Sequence, residues 1–121
     1  MIIVDTSIWI EFFRQSDETI SEMLAGYLED NEVVGLSVIF GELLQGAKSE
    51  AEERLILEFW RGLIKIDESE LLIEAGKLAH KRKLLSKGIG LIDSCILQSV
   101  KSHKFSLWTL DKKLNKEYQI L

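Results

Sequence analysis

Four acidic residues could do chemistry in this sequence: Asp5, Glu42, Asp93 and Asp111. Asp93 lies in the stretch "LIDSCILQSVKS", where helical spacing puts it on one stripe with Ile96, Leu97 and Val100. An acid on an apolar stripe is expensive to bury unless it is hydrogen-bonded, paired or bound to a cation. Two readings follow: an acid satisfied at a helix N-terminus, where negative charge is favoured, or a metal ligand. Glu42 neighbours Val38, Ile39, Gln45 and Gly46 on its helix, and Gly46 one turn along leaves room beside the carboxylate. The alternative for Glu42 is a half-exposed helix glutamate. Asp5 and Asp111 could each cap the helix that follows. For Asp5 that is a weak reason, because Thr6 and Ser7 would cap equally well.

Gathered together, these acids need a counter-charge. At about 4 Å, two like charges repel by roughly 4 kcal/mol at an effective dielectric of about 20. No Cys or His set accompanies them, so the fitting cation is hard and oxygen-seeking, Mg²⁺ or Mn²⁺. A cation held by carboxylates acidifies a water and stabilises charge on a phosphodiester. That chemistry wants a basic surface for a nucleic-acid backbone, and the charge pattern offers one. Residues 1–76 carry 17 Asp/Glu against 5 Lys/Arg, whereas residues 77–116 carry 10 Lys/Arg against 2 Asp/Glu. Those two acids are Asp93 and Asp111. The plain alternative is a solvated basic helix face.

The elements that must position the acids follow from apolar periodicity. "IIVD" is β-branched and apolar without alternation, as in a strand covered on both faces. "EVVGLS", "IKID" and "FSLWT" predict three more strands, and the terminal "YQIL" a short fifth. Between them, "SIWIEFFR", "ETISEMLAGYLEDN", "VIFGELLQGA", "SEAEERLILEFWRGL", "SELLIEAGKLAHKRKLLSKG" and "LIDSCILQSVKS" show helical spacing. Strands alternating with helices predict an α/β fold with a mostly parallel sheet of four to five strands. Ligands then bind beyond the carboxyl ends of the strands, the rim that Asp5 and Asp111 both reach.

The chain of 121 residues, 46% hydrophobic and 29% charged, is long enough for one core and is expected to form a single domain over 1–121. Its longest uncharged run is nine residues, Val33 to Gly41, too short to span a bilayer. The core pattern begins at Ile2 with no basic leader before it, so no secretory signal is expected. Cys95 is alone and cannot form an internal disulfide. A cytoplasmic protein without membrane contact is the expectation.

In order along nearly the whole chain, "VDTSIWIEF", "FGELLQGA", "GIGLIDSCILQSV" and "LWTLD" resemble the PIN-domain ribonucleases, in particular the VapC-type toxins of prokaryotic toxin–antitoxin pairs. The family's acids fall on Asp5, Glu42, Asp93 and Asp111. Its hydroxyls beside the first acid match Thr6 and Ser7, and its Thr-x-Asp matches Thr109 and Asp111. The sequence departs from the pattern in two respects. Leu114 replaces the aromatic usual three residues past the last acid, and Ser94, Cys95 and Gln98 stand where small residues usually follow the third. The resemblance implies a three-layer α/β/α sandwich and a Mg²⁺- or Mn²⁺-dependent endoribonuclease. Asp5 and Asp93 would hold the central cation, Glu42 a second cation or the attacking water, and Asp111 would complete the shell. Thr6, Ser7 and Thr109 would position these groups, and RNA ends would be 3′-hydroxyl and 5′-phosphate. Lys81, Arg82, Lys83 and Lys87 are candidates for guiding RNA. The family also implies a homodimer and a cognate VapB-type antitoxin. "SIWIEFF", with Met23, Leu24, Tyr27 and Leu28, could line the antitoxin's groove or simply be core.

Two other readings compete. A receiver-like phospho-acceptor domain shares the length and sheet type but would want an acidic pair after the first strand, where Thr6 and Ser7 stand. A catalytically inactive binding module of the same fold would keep the architecture without the reaction. A cysteine nucleophile is disfavoured because Cys95 lies among apolar residues without a histidine partner, and His80 and His103 suggest no zinc site.

Overall fold

A computed structural model describes all residues, 1–121. Its centre is a sheet of four short parallel strands: β1 (Ile2–Val4), β2 (Val33–Gly35), β3 (Ile64–Lys65) and β4 (Ser106–Trp108). The order is β3-β2-β1-β4. Ile3 pairs with Val34 on one side and Leu107 on the other. β1 is therefore interior, and Ile3 and Val4 are wholly buried, as the unalternating apolar run requires. Seven helices cover the sheet: α1 (Thr6–Arg14), α2 (Glu18–Glu29), α3 (Ser37–Gln45), α4 (Glu50–Gly62), α5 (Leu71–Arg82), α6 (Leu91–His103) and α7 (Lys112–Gln119). The result is the expected three-layer α/β/α sandwich.

One side of the core is aromatic. Trp9, 1% exposed, has its ring centroid 5.2–5.9 Å from those of Phe12, Phe13, Phe40 and Phe59. Such offset and edge-on pairs add to the burial of large apolar surface. They lock α1, which starts at Asp5, against α3, which carries Glu42. Gly35 at the end of β2 is needed for close packing: a Cβ there would lie 3.1 Å from Leu63 and Trp60 side-chain atoms.

Three expectations change. There is no fifth strand: Tyr118 and Gln119 of "YQIL" belong to α7, whose Leu114, Glu117 and Tyr118 turn inward at helical spacing. The long helix expected through Gly88 stops at Arg82. Lys83 takes a left-handed conformation (φ 55°), a 3-10 turn (Leu85–Lys87) follows, and the fold in the chain buries Leu84 completely. Finally, β1 ends at Val4, so Asp5 is the N-cap of α1 and not the last strand residue.

Candidate active site

β1 lies between β2 and β4, so connections leave it in both directions and open a crevice beyond the carboxyl ends of the strands, where α/β sheets place ligands. The Asp5 backbone N–H donates to the Trp108 carbonyl (3.0 Å), stitching the two chain segments as they leave the sheet. Helices that run back along parallel strands begin at this rim. Asp5 caps α1, Asp93 lies in the first turn of α6, Asp111 caps α7, and Glu42 lies a turn into α3. The positive ends of α1, α6 and α7 soften the repulsion at Asp5, Asp93 and Asp111, whereas Glu42, past the first turn of α3, gains no such help.

Asp5 is 6% exposed and accepts three hydrogen bonds. The Thr6 backbone N–H donates to Oδ1 (2.8 Å), while the Ser7 hydroxyl (2.9 Å) and the Thr109 hydroxyl (2.7 Å) donate to Oδ2. The network extends in both directions. The Thr6 hydroxyl donates to Glu42 Oε1 (2.8 Å). Thr109 Oγ1 accepts from the Asp111 backbone N–H (3.0 Å), and Ser7 Oγ accepts from the Leu110 backbone N–H (3.1 Å). The three hydroxyls singled out in the sequence thus tie Asp5, Glu42 and the backbone of Asp111 into one frame. Asp111 also caps α7, its Oδ1 accepting from the backbone N–H groups of Lys113 and Leu114.

Asp93 joins this frame through its field. Its carboxyl is pushed up to about 6, first by desolvation and then by the charges of Asp5, Asp111 and Glu42. Ile96, Leu97 and Val100 on its stripe are buried. A half-buried carboxylate facing three others suits a cation, and the donor set is all oxygen, which fits Mg²⁺ or Mn²⁺ by type. No three acids are drawn in to the spacing of a closed metal cage. Asp5 is turned toward its hydroxyl donors and Asp111 toward its helix amides. Of the departures from the expected pattern, Leu114, Ser94 and Cys95 are interior packing and fully buried, while Gln98 is half-buried and borders a surface cleft. Burial, and then the charge of Glu68, pushes the Cys95 thiol up to about 11, so it is inert as a nucleophile.

The four basic candidates divide. Lys81 and Lys83 are exposed and form no ion pair, and Lys81 borders a cleft of about 480 Å³ with Lys77, His80 and Lys101. Lys87 and Arg82 instead face Glu117 on α7, at 2.8 and 3.7 Å. Glu117 escaped notice in the sequence, although its spacing from Leu114 and Tyr118 marks it as an inward-facing acid. Glu68 was missed as well. It accepts from the Ser37 backbone N–H (2.8 Å) and hydroxyl (2.7 Å), capping α3 across 31 residues because Leu36 cannot. Of the groove residues, Leu24 is core and Tyr27 packs on Trp108, while Phe12, Phe13, Leu55 and Phe59 line an open cleft of about 500 Å³. A neighbouring cleft of about 390 Å³ runs from Phe13 and Ile56 to Glu42 itself.

The PIN domain family model matches residues 2–118. The chain is also similar to the protein named "Ribonuclease VapC32" in two strains of Mycobacterium tuberculosis. Each is 31% identical over 118 residues, covering 94% of this chain and 87% of the relative. A receiver-like domain is set aside by this match and by the sheet order, which differs from the 2-1-3-4-5 order of receivers. Matched from its first strand to its last helix, the chain belongs to the PIN domain family.

Proposed function

We propose that the chain is a Mg²⁺- or Mn²⁺-dependent endoribonuclease and the toxin of a VapBC-type pair. The observation that carries this reading is the convergence of four acids at the switch point of the sheet, felt at Asp93 as desolvation plus three like charges. The ribonuclease relatives support it. A bound divalent cation would supply an acidic water and positive charge against the phosphate under attack. Asp5 and Asp93 hold it, with Asp111 completing the shell. Glu42, aimed by Thr6, holds a second cation or orients the water for in-line attack, leaving 3′-hydroxyl and 5′-phosphate ends. Thr109 and Ser7 keep Asp5 in one orientation, as hydrogen-bond donors behind a ligating carboxylate commonly do. Lys81 and Lys83 guide the RNA backbone, whereas Arg82 and Lys87 are committed to Glu117.

The partners follow the same reading. The cleft that ends at Glu42, lined by apolar residues such as Phe13 and Ile56 together with charged Arg14, Lys48 and Glu52, has the form to take a segment of a VapB-type antitoxin, with an Arg reaching the acids. A homodimer is proposed as the active assembly. No helix is long and apolar enough to cross a membrane, in keeping with a cytoplasmic protein. The test is incubation of the purified chain with labelled RNA and Mn²⁺, then with EDTA, and again for Asp5→Asn and Asp93→Asn. Cleavage to 5′-phosphate ends that stops with EDTA and in both variants is expected. Cleavage that persists under either condition sinks the reading, and no cleavage by the wild type at all favours an inactive binding module.

A further inference from the structure

Glu117 is a buried charge remote from the acids in the crevice. It is 4% exposed, and one of its oxygens, Oε2, accepts no hydrogen bond. A carboxylate in such a place is costly unless paired, and it is held between two cations from other elements. Lys87 Nζ lies 2.8 Å from Oε1, and an Arg82 guanidinium nitrogen lies 3.7 Å from Oε2. The same Arg82 nitrogen donates to the carbonyl of Ile120 (3.1 Å), the C-cap of α7. Arg82 thus also neutralises the negative end of that helix dipole.

The location of this clamp gives it a consequence. Lys87 ends the 3-10 turn, and three residues later Gly90 is the N-cap of α6, which carries Asp93 in its first turn. Glu117 is on α7, whose N-cap is Asp111. The turn and α7 are in close contact at a second point. Gly88, at φ 80°, leaves space that a Cβ would take up 3.0 Å from Lys113 Nζ. No hydrogen bond joins the Asp93 and Asp111 side chains, and the clamp adds a polar link where α6 and α7 already pack on each other.

We propose that Glu117, clamped by Lys87 and Arg82, is a positioning residue that fixes the distance between Asp111 and Asp93 by docking α7 onto the turn that leads into α6. The proposal rests on the cation-site reading of the four acids. It assigns Lys87 and Arg82 to the geometry of the site and removes them from RNA contact.

The test is Mn²⁺ affinity, measured by calorimetric titration on protein verified as folded by circular dichroism. Wild type, Glu117→Gln, Lys87→Met, Lys87→Arg, Asp111→Asn, Asp93→Asn and the double variant Asp111→Asn/Glu117→Gln are compared. Glu117→Gln and Lys87→Met are expected to weaken Mn²⁺ binding by about tenfold, the low end for outer-shell residues. Lys87→Arg keeps the pair and should bind like wild type. The double variant should bind no more weakly than Asp111→Asn alone, because the clamp acts through Asp111. Glu117→Gln and Lys87→Met that melt earlier yet bind Mn²⁺ like wild type overturn the proposal, as does an additive double variant. If Glu117→Gln does not fold, Lys87→Met decides by the same criterion, since its side chain is 44% exposed and its loss leaves little cavity. Equal Mn²⁺ binding by wild type and Asp93→Asn overturns the cation-site reading itself, and is distinguishable because Asp93 is outside the clamp.

Discussion

Asp93 is the residue on which charge and burial conflict most directly. Its carboxyl titrates near 6 against an ordinary 3.8. Between those values the unfolded chain ionises while the folded chain holds its proton. The associated stability is therefore fully present below about pH 4 and is lost as the pH rises through about 6, opposite to a salt-bridged aspartate. Metal-free wild type should melt progressively earlier across that window, and Asp93→Asn should not. At pH 7 the Asn variant should melt a few degrees higher, a gain of about 1 kcal/mol typical of relieving strain at a functional site, kept small by the side chain's partial exposure. Scanning calorimetry from pH 4 to 7 checks this, and identical profiles for the two proteins would remove the repulsion from the account. Thr109 tests the frame around Asp5. Thr109→Val deletes the bond to Asp5 and the acceptor for the Asp111 backbone N–H. It should cost about 1 kcal/mol of stability and, in the proposed function, about 10–100-fold in Mn²⁺ affinity. At this scale the sequence was readable where a residue contradicted its surroundings: Asp93 on an apolar stripe, Asp5 beside two redundant caps. Glu117 and Glu68 hid among ordinary surface glutamates because their partners are remote in the chain.

Among the elements, α1 and α3 owe their mutual placement to the aromatic cluster at Trp9. Trp9→Ala should destabilise the fold by about 3–5 kcal/mol, read by urea unfolding, and should loosen Glu42 relative to Asp5 even under conditions where the protein remains folded. Helices announced themselves through periodic apolar positions, which is why most were placed to within a few residues. Two features defeated that reading. "YQIL" has strand-like composition, but Tyr118 completes the inward stripe begun at Leu114, so tertiary burial decides for helix. The break after Arg82 falls at a lysine in the left-handed region, without the glycine that normally marks such a stop. It exists because Leu84 is drawn into the core. The order of the four strands was out of reach from local pattern alone, since it is set by which helices pack on which face.

Across the whole molecule, charge is segregated between an acidic N-terminal part and a basic stretch over 77–116. Folding assigns some of that basic charge to internal work at Glu117 and leaves Lys81 and Lys83 outward. In the proposed function, RNA affinity should fall with salt. Lys81→Ala and Lys83→Ala should each lower the log–log slope by about 0.7, the value for one phosphate contact on a single strand. Filter binding from about 50 to about 300 mM salt (the Debye length falling from about 14 to about 6 Å) measures it, and unchanged slopes would exclude both lysines as RNA contacts. In the proposed function, Asp5, Asp93 and Asp111, brought to one rim from three segments of the chain, form a divalent-cation site, with Glu42 beside it. Its most direct test is a Mn²⁺ titration of wild type beside Asp93→Asn at pH 7. A saturable site in the wild type that weakens at least about tenfold in the variant is the expected result, and two superimposable isotherms would contradict it.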